Sequence, residues 1–318
     1  MEFETLPMTT RSRVVLEIAS ELVADKSYPY TQARVQLRTQ GKYDWPVTLF
    51  GSSTKEGIFA VASGEADLSI VNPAATLKLA VNGAGVFKGA PQPLKAIAVI
   101  PSYDNYVFAV RKEFGITRFE EIAEKRLPLK LSLRGQPDHA LHDMLDDIVA
   151  AAGFSLADIE KWGGQVRKEH LLPWPNGEKF KQLKRGEIDS IFDEAANVWI
   201  DPALDEGMTL LSLAESTVQK LETMGYKRGV ILKQDYPRLP QDILTLDFSG
   251  WPIFVRANAP DDFVTKICAA LDARKHLIPW QGEGPLPVHR MCVEGPETPQ
   301  LVELHPAAKE FWKKQGYL

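Results

Sequence analysis

At 318 residues the chain exceeds the size that one hydrophobic core usually serves, so two domains are expected. It is 44% hydrophobic and 25% charged with a net charge of −5, the make-up of an ordinary globular protein. That balance argues against a nucleic-acid partner, which needs a basic face, and no run approaches the roughly 20 apolar residues of a membrane span.

The first 23 residues hold no apolar stretch followed by a small-residue cleavage site. The expected location is therefore periplasmic if a signal peptide has been removed, and cytoplasmic otherwise. Val14–Val23, broken by Glu17 and Glu21, predicts an amphipathic helix capped at Thr9 or Thr10. Arg34–Arg38 alternates as a strand does. Val47–Phe50 is an apolar stub ending in Gly51-Ser52-Ser53-Thr54 before a helix, and hydroxyls with free N–H groups at a helix start favour an anion. A strand is predicted at Asp67–Val71, a helix at Ala74–Val81, and strands at Leu94–Ile100 and Tyr106–Arg111. Leu129–Leu133 reads as a strand, followed by the corner Arg134-Gly-Gln-Pro and a long helix from Asp138 to about Ala152. Later strands fall at Val166–His170, Met208–Leu213 and Ile253–Arg256. Helices fall at Ala214–Met224, Asp261–His276 and Leu304–Gly316.

One pattern occurs twice. Gly-Glu-x-Asp stands at Gly64–Asp67 and again at Gly186–Asp189, each time after a helix-like run and before a short apolar run. A left-handed glycine ends the helix, a polar turn follows, and the apolar run is a buried strand of a parallel sheet. One such unit in each half predicts two α/β lobes of similar build.

The sequence resembles the TAXI-type solute-binding receptors of TRAP transporters, a branch of the two-lobed periplasmic binding proteins. The resemblance rests on Gly51-Ser-Ser-Thr54, Ala62-Ser-Gly-Glu-Ala-Asp-Leu-Ser-Ile-Val71, Tyr106-Val-Phe-Ala-Val-Arg111, Arg185-Gly-Glu-Ile-Asp189, Gly250-Trp-Pro-Ile-Phe-Val-Arg-Ala257 and the closing Leu304–Gly316 segment. It departs at Thr9-Thr10-Arg11, where relatives carry glycines, and at Arg134–His142, a small-residue loop in relatives. The resemblance implies a type II binding-protein fold, with lobe one built from residues 1–108 and 251–318 and lobe two from 109–250. It further implies hinge closure over a small organic acid and a partnership with transporter membrane subunits, with no cofactor or metal, no nucleic acid and no membrane insertion.

Ligands of open α/β sheets bind outside the carboxyl ends of the strands. That rule nominates Ser52, Ser53, Thr54 and Asn72 in lobe one, and Arg134, Gly135, Gln136, Asp193 and Glu194 in lobe two. Arg134 offers a bidentate fork to a carboxylate ligand, and Trp251, next to the second crossing, could stack on the ligand. The other tryptophans, Trp174 among them, read as structural. His139 and His142 lie three apart on one helix face. With Asp193 and Glu194 they form the alternative reading, an acid/base centre of an enzyme or sensor on the same scaffold.

Overall fold

The structure is a computed structural model that describes residues 8–25, 30, 32–38, 46–52, 55–136 and 138–318. Helix α1 (Met8–Ala24) leads into β1 (Gln32–Leu37) and β2 (Val47–Ser52), an antiparallel pair. Helix α2 (Lys55–Ser63), β3 (Leu68–Ile70), α3 (Ala74–Asn82) and β4 (Leu94–Ile100) follow. The chain then crosses into a second sheet through β5 (Val107–Arg111), α4 (Glu121–Glu124), β6 (Lys130–Arg134), α5 (Ala140–Ala151), α6 (Leu156–Lys161) and β7 (Gln165–Glu169). It continues with α7 (Glu178–Lys184), β8 (Ser190–Asp193), α8 (Ala196–Asp205), β9 (Met208–Leu210) and α9 (Glu215–Met224). A hairpin of β10 (Arg228–Ile231) and β11 (Ile243–Leu246) precedes β12 (Trp251–Arg256), which rejoins the first sheet. Helices α10 (Asp261–Arg274) and α11 (Pro306–Lys314) close the chain.

The sheets run β1-β2-β3-β12-β4 and β7-β6-β8-β5-β9. In each, the strand after the Gly-Glu-x-Asp turn lies between a parallel neighbour and an antiparallel one. β3 pairs with β2 and β12, and β8 with β6 and β5. The sheets are thus mixed rather than purely parallel: β5 runs against its neighbours in the second sheet, and β12 and the edge strand β1 against theirs in the first.

The turn chemistry is the same in both copies. Gly64 and Gly186 both adopt positive φ, +85° and +70°, which costs a glycine nothing. The aspartate clasps the start of the parallel neighbour. Asp67 Oδ2 accepts from the Thr48 N–H at 2.9 Å, and Asp189 Oδ1 from the Lys130 N–H at 2.8 Å. The arginine ending each crossing strand then reaches the carbonyl three residues before the glycine: Arg256 donates to Val61 O and Arg111 to Leu183 O. These bonds pin helix end, turn and two strands together at each lobe's outer edge.

Apolar residues follow the same plan. Ile97, Ile253, Val255, Phe263, Cys268 and Trp312 pack β4 and β12 against α10 and α11. Phe180, Ile191, Trp199 and Leu210 form the core behind the second sheet. The largest cluster holds residues of both lobes, from Phe50 and Ile58 to Leu131 and Phe192. Cys268 and Cys292 are buried free thiols. Val14, Val15, Ile18 and Leu22 of the amphipathic α1 stay exposed.

Gly186→Ala should cost about 1–2 kcal/mol, the left-handed penalty alone, because nothing lies within 4 Å of the added Cβ. Asp189→Ala, which removes the acceptor of the exposed Lys130 N–H, should cost about 0.5–1.5 kcal/mol. Urea unfolding measures both, and wild-type stability in Gly186→Ala would contradict the turn assignment.

Candidate functional site

The strand ends meet across a cleft of about 610 Å³ between the lobes. Ser52 is the last residue of β2, Asn72 follows β3, and Trp251 opens β12 beside them, so lobe one supplies hydroxyl, amide and indole. Arg134 ends β6, Glu194 follows β8, and His139 precedes α5, so lobe two supplies the charged side. Loops complete the wall with Tyr103, Asp104, Trp174 and Gln281, and the first turn of α8 with Asn197.

Beneath the lobe-two side lies a buried charge cluster. Asp193 is fully buried, and its Oδ1 accepts from Arg134 Nε at 3.1 Å and Nη2 at 2.8 Å. Its Oδ2 accepts from the fully buried Lys179 ammonium at 3.1 Å. Arg134 Nη2 also pairs with Glu194 Oε1. Burial pushes the Lys179 pKa down against the pull of Asp193. Burial also pushes Glu194 well above the usual carboxylate range; Arg134 opposes this and Asp104 adds to it. Removing Asp193 would leave the buried Lys179 ammonium without its partner and Arg134 with Glu194 alone, which costs about 3–5 kcal/mol in comparable cases.

Asp104 ties the crossings to this side of the cleft. Its Oδ2 accepts from the Ala195 N–H at 2.8 Å and its Oδ1 from the Ala196 N–H at 2.9 Å, which caps α8 from outside the helix. Its backbone is held by the second crossing: the carbonyl accepts from the Phe248 N–H, and its N–H donates to Ser249 Oγ at 3.0 Å. Asn105 and Asp247 form a bridge between the crossings, and burial raises the Asp247 carboxyl to about 6.

The nominated residues divide. Ser52, Asn72, Arg134, Glu194, Trp251 and His139 line one cleft. Ser53 and Thr54 lie outside the described residues. Asp193 sits below the wall as the counterion of Arg134 and Lys179. Gly135 is there for backbone contact, since a Cβ would come within 2.4 Å of the Glu169–His170 peptide. Gln136 does not line the cleft, nor does His142, whose ring nitrogens are buried without a hydrogen-bond partner. His139, rather than Asp138, caps α5, its Nδ1 accepting from the Leu141 N–H at 3.2 Å. Trp174, read from sequence as structural, is 44% exposed on the cleft wall. Asp104, Asn197 and Gln281 were not nominated. Only the place of Asp104 between two strands at an expected crossing could have pointed to it. Among the described residues no group of three or more His, Cys, Asp or Glu is set to hold a metal ion.

The His139 ring stacks parallel to Phe248, and burial, with Arg134 adding, lowers its pKa from 6.5 to about 4. The unfolded chain therefore binds a proton between pH 6.5 and 4 that the folded chain does not. Stability is kept above this window and lost as pH falls through it, by about 2–3 kcal/mol. His139→Asn keeps a capping side chain and removes the titration. Urea unfolding at pH 7.5 and 4.5 should show a smaller acid loss in the variant, and equal losses would contradict the assignment.

The chain matches the sequence profile of the NMT1-like family over residues 51–316. No curated protein matches it. Among solved structures it is similar to a periplasmic transporter structure, at 16% identity and a TM-score of 0.36, covering 83% of this chain and 80% of that one. It is also similar to MatC from Rhodopseudomonas palustris with bound malate, at 16% identity and a TM-score of 0.36, covering 69% and 67%. A third is the alkanesulfonate-binding protein SsuA from Xanthomonas axonopodis pv. citri, at 15% identity and a TM-score of 0.29. That match covers 69% of this chain and spans 59% of SsuA, less than two thirds of its length. Malate and sulfonate are properties of those proteins. The two sheets, the doubled chain crossing and the cleft between strand ends form the two-lobed type II periplasmic-binding-protein fold, and with its profile match spanning most of its length the chain belongs to the NMT1-like family.

Proposed function

We propose that the protein is a solute receptor that closes by hinge motion over one small molecule held between its lobes. The observation that carries this reading is the cleft itself. Its volume of about 610 Å³ suits a small metabolite, and polar groups converge on it from the strand ends of both lobes. A ligand touching both lobes favours the closed arrangement by its extra contacts there. The lobe boundaries near residues 108 and 250, a periplasmic location, delivery to transporter membrane subunits and the TAXI subfamily belong to this proposal. The family match and the quoted motifs support them.

The organic-acid ligand expected from the Arg134 fork is not retained. Arg134 already gives Nε and Nη2 to Asp193 and Nη2 to Glu194, so its two-pronged face is taken up within the protein. The enzyme reading keeps Glu194 and His139 on the cleft but loses their neighbours. Asp193 is locked, His142 lies off the cleft, and His139 uses Nδ1 as a helix cap.

Native mass spectrometry of the purified protein, with thermal-shift screening of organic acids, amines, sugars and sulfonates, tests the proposal. One compound should bind unchanged at one per chain, and Trp251→Ala should weaken it about tenfold, the loss of about 1.4 kcal/mol of contact. A compound recovered chemically altered, or no binding across the set, would contradict the receptor reading.

A further inference from the structure

Asp104 belongs to neither sheet, yet it holds parts of three elements. Its carboxylate takes the two N–H groups that start α8, and the Asn105 N–H as well at 2.7 Å. Its backbone is bonded to Phe248 and Ser249 on the other crossing strand. The residue it caps is unusual. Ala195 has φ +63°, a left-handed conformation that costs a Cβ-bearing residue roughly 1–2 kcal/mol and persists only where its surroundings enforce it. Glu194, beside it, lines the cleft and pairs with Arg134, while its carbonyl accepts from Trp199 Nε1 at 2.8 Å. The start of α8 is therefore bonded directly to the segment about which the lobes would turn.

We propose that Asp104 is a positioning residue that couples the angle between the lobes to the place of Glu194 and the α8 start in the cleft wall. This rests on the reading of the cleft as a site that closes. A turn of the crossing strands carries the Asp104 carboxylate with it, and the Ala195 and Ala196 amides follow because both its oxygens are committed to them. Closure then reshapes the lobe-two wall as well as narrowing the cleft, and the strained Ala195 is the joint that yields.

The test uses the full chain and no ligand, so its outcome is separate from whether any compound binds. Spin labels at Lys88→Cys and Lys184→Cys, exposed positions on opposite lobes, report the distribution of lobe separations. The native thiols stay unlabelled, since burial pushes Cys268 up to about 12 and Cys292 to about 11. Hydrogen exchange reports the Ala195 and Ala196 amides. Asp104→Asn should speed exchange at those amides by tenfold or more and broaden the lobe distribution in the same sample. Adding Ala195→Gly, which accepts the left-handed backbone without strain, should slow that exchange again. Should Asp104→Asn fail to fold, Asp104→Glu serves, and both readouts should again move together. Faster exchange with an unchanged lobe distribution would reduce Asp104 to a helix cap and overturn the coupling. A broadened distribution with protected amides, or no change in either, would overturn it too.

Discussion

Two chain crossings bonded to each other are the constraint on which the molecule depends. The first leaves β4 at Ile100 and enters β5 at Val107; the second leaves β11 at Leu246 and enters β12 at Trp251. Tyr106 donates to Leu246 O, Phe248 to Asp104 O and Gly250 to Ser102 O, so the crossings form a short ladder rather than two independent linkers. Gly250 is required there, with φ +77° and a Cβ position within 2.8 Å of Pro299 and Val99. The ladder leaves few ways for one lobe to move relative to the other. It also places the ends of β3 and β8 opposite each other, and the cleft follows from that placement.

Each lobe is braced by the same set of bonds. The glycine turn, the aspartate clasp and the arginine from the crossing strand form one unit, built twice. Because Arg111 and Arg256 sit on the strands that come from the crossings, the crossings are anchored at the far edge of each sheet as well as at the cleft. In the proposed closure, motion would be concentrated in the few residues between the sheets. On lobe two the buried Asp193 adds a second anchor, joining β8 to Arg134 of β6 and Lys179 of α7. It also occupies the Arg134 fork that the sequence offered to a ligand.

How far the sequence carried this structure depended on whether a feature was local. The doubled Gly-Glu-x-Asp turn was legible because a left-handed glycine, a polar turn and a buried strand are consecutive in the chain. From it came two lobes; the strand-end rule then pointed to Ser52, Asn72, Arg134 and Glu194, and the place at the crossing to Trp251, all of which line one cleft. The partners of Arg134 were not legible, since its pairing with Asp193 spans 59 positions and is decided by which strands lie side by side. Asp104, Asn197 and Gln281 escaped for a related reason. Asp104 and Gln281 stand in loops and Asn197 in the first turn of α8, none with a sequence pattern of its own, and only the tertiary arrangement sets them on the wall. Trp174 was misassigned because Leu172–Gly177 reads as a rigid turn whichever way its indole points.

The proposed receptor has two lobes that pivot on the paired crossings and are held together by what lies between them. Small-angle X-ray scattering tests this most directly. The protein is measured as purified and again after bound molecules are stripped by unfolding in urea, dialysis and refolding. The account predicts a larger radius of gyration in the stripped sample, with the purified value recovered when the dialysed small-molecule fraction is added back. Identical scattering from the two samples, when mass spectrometry confirms that a bound molecule was removed, would contradict it.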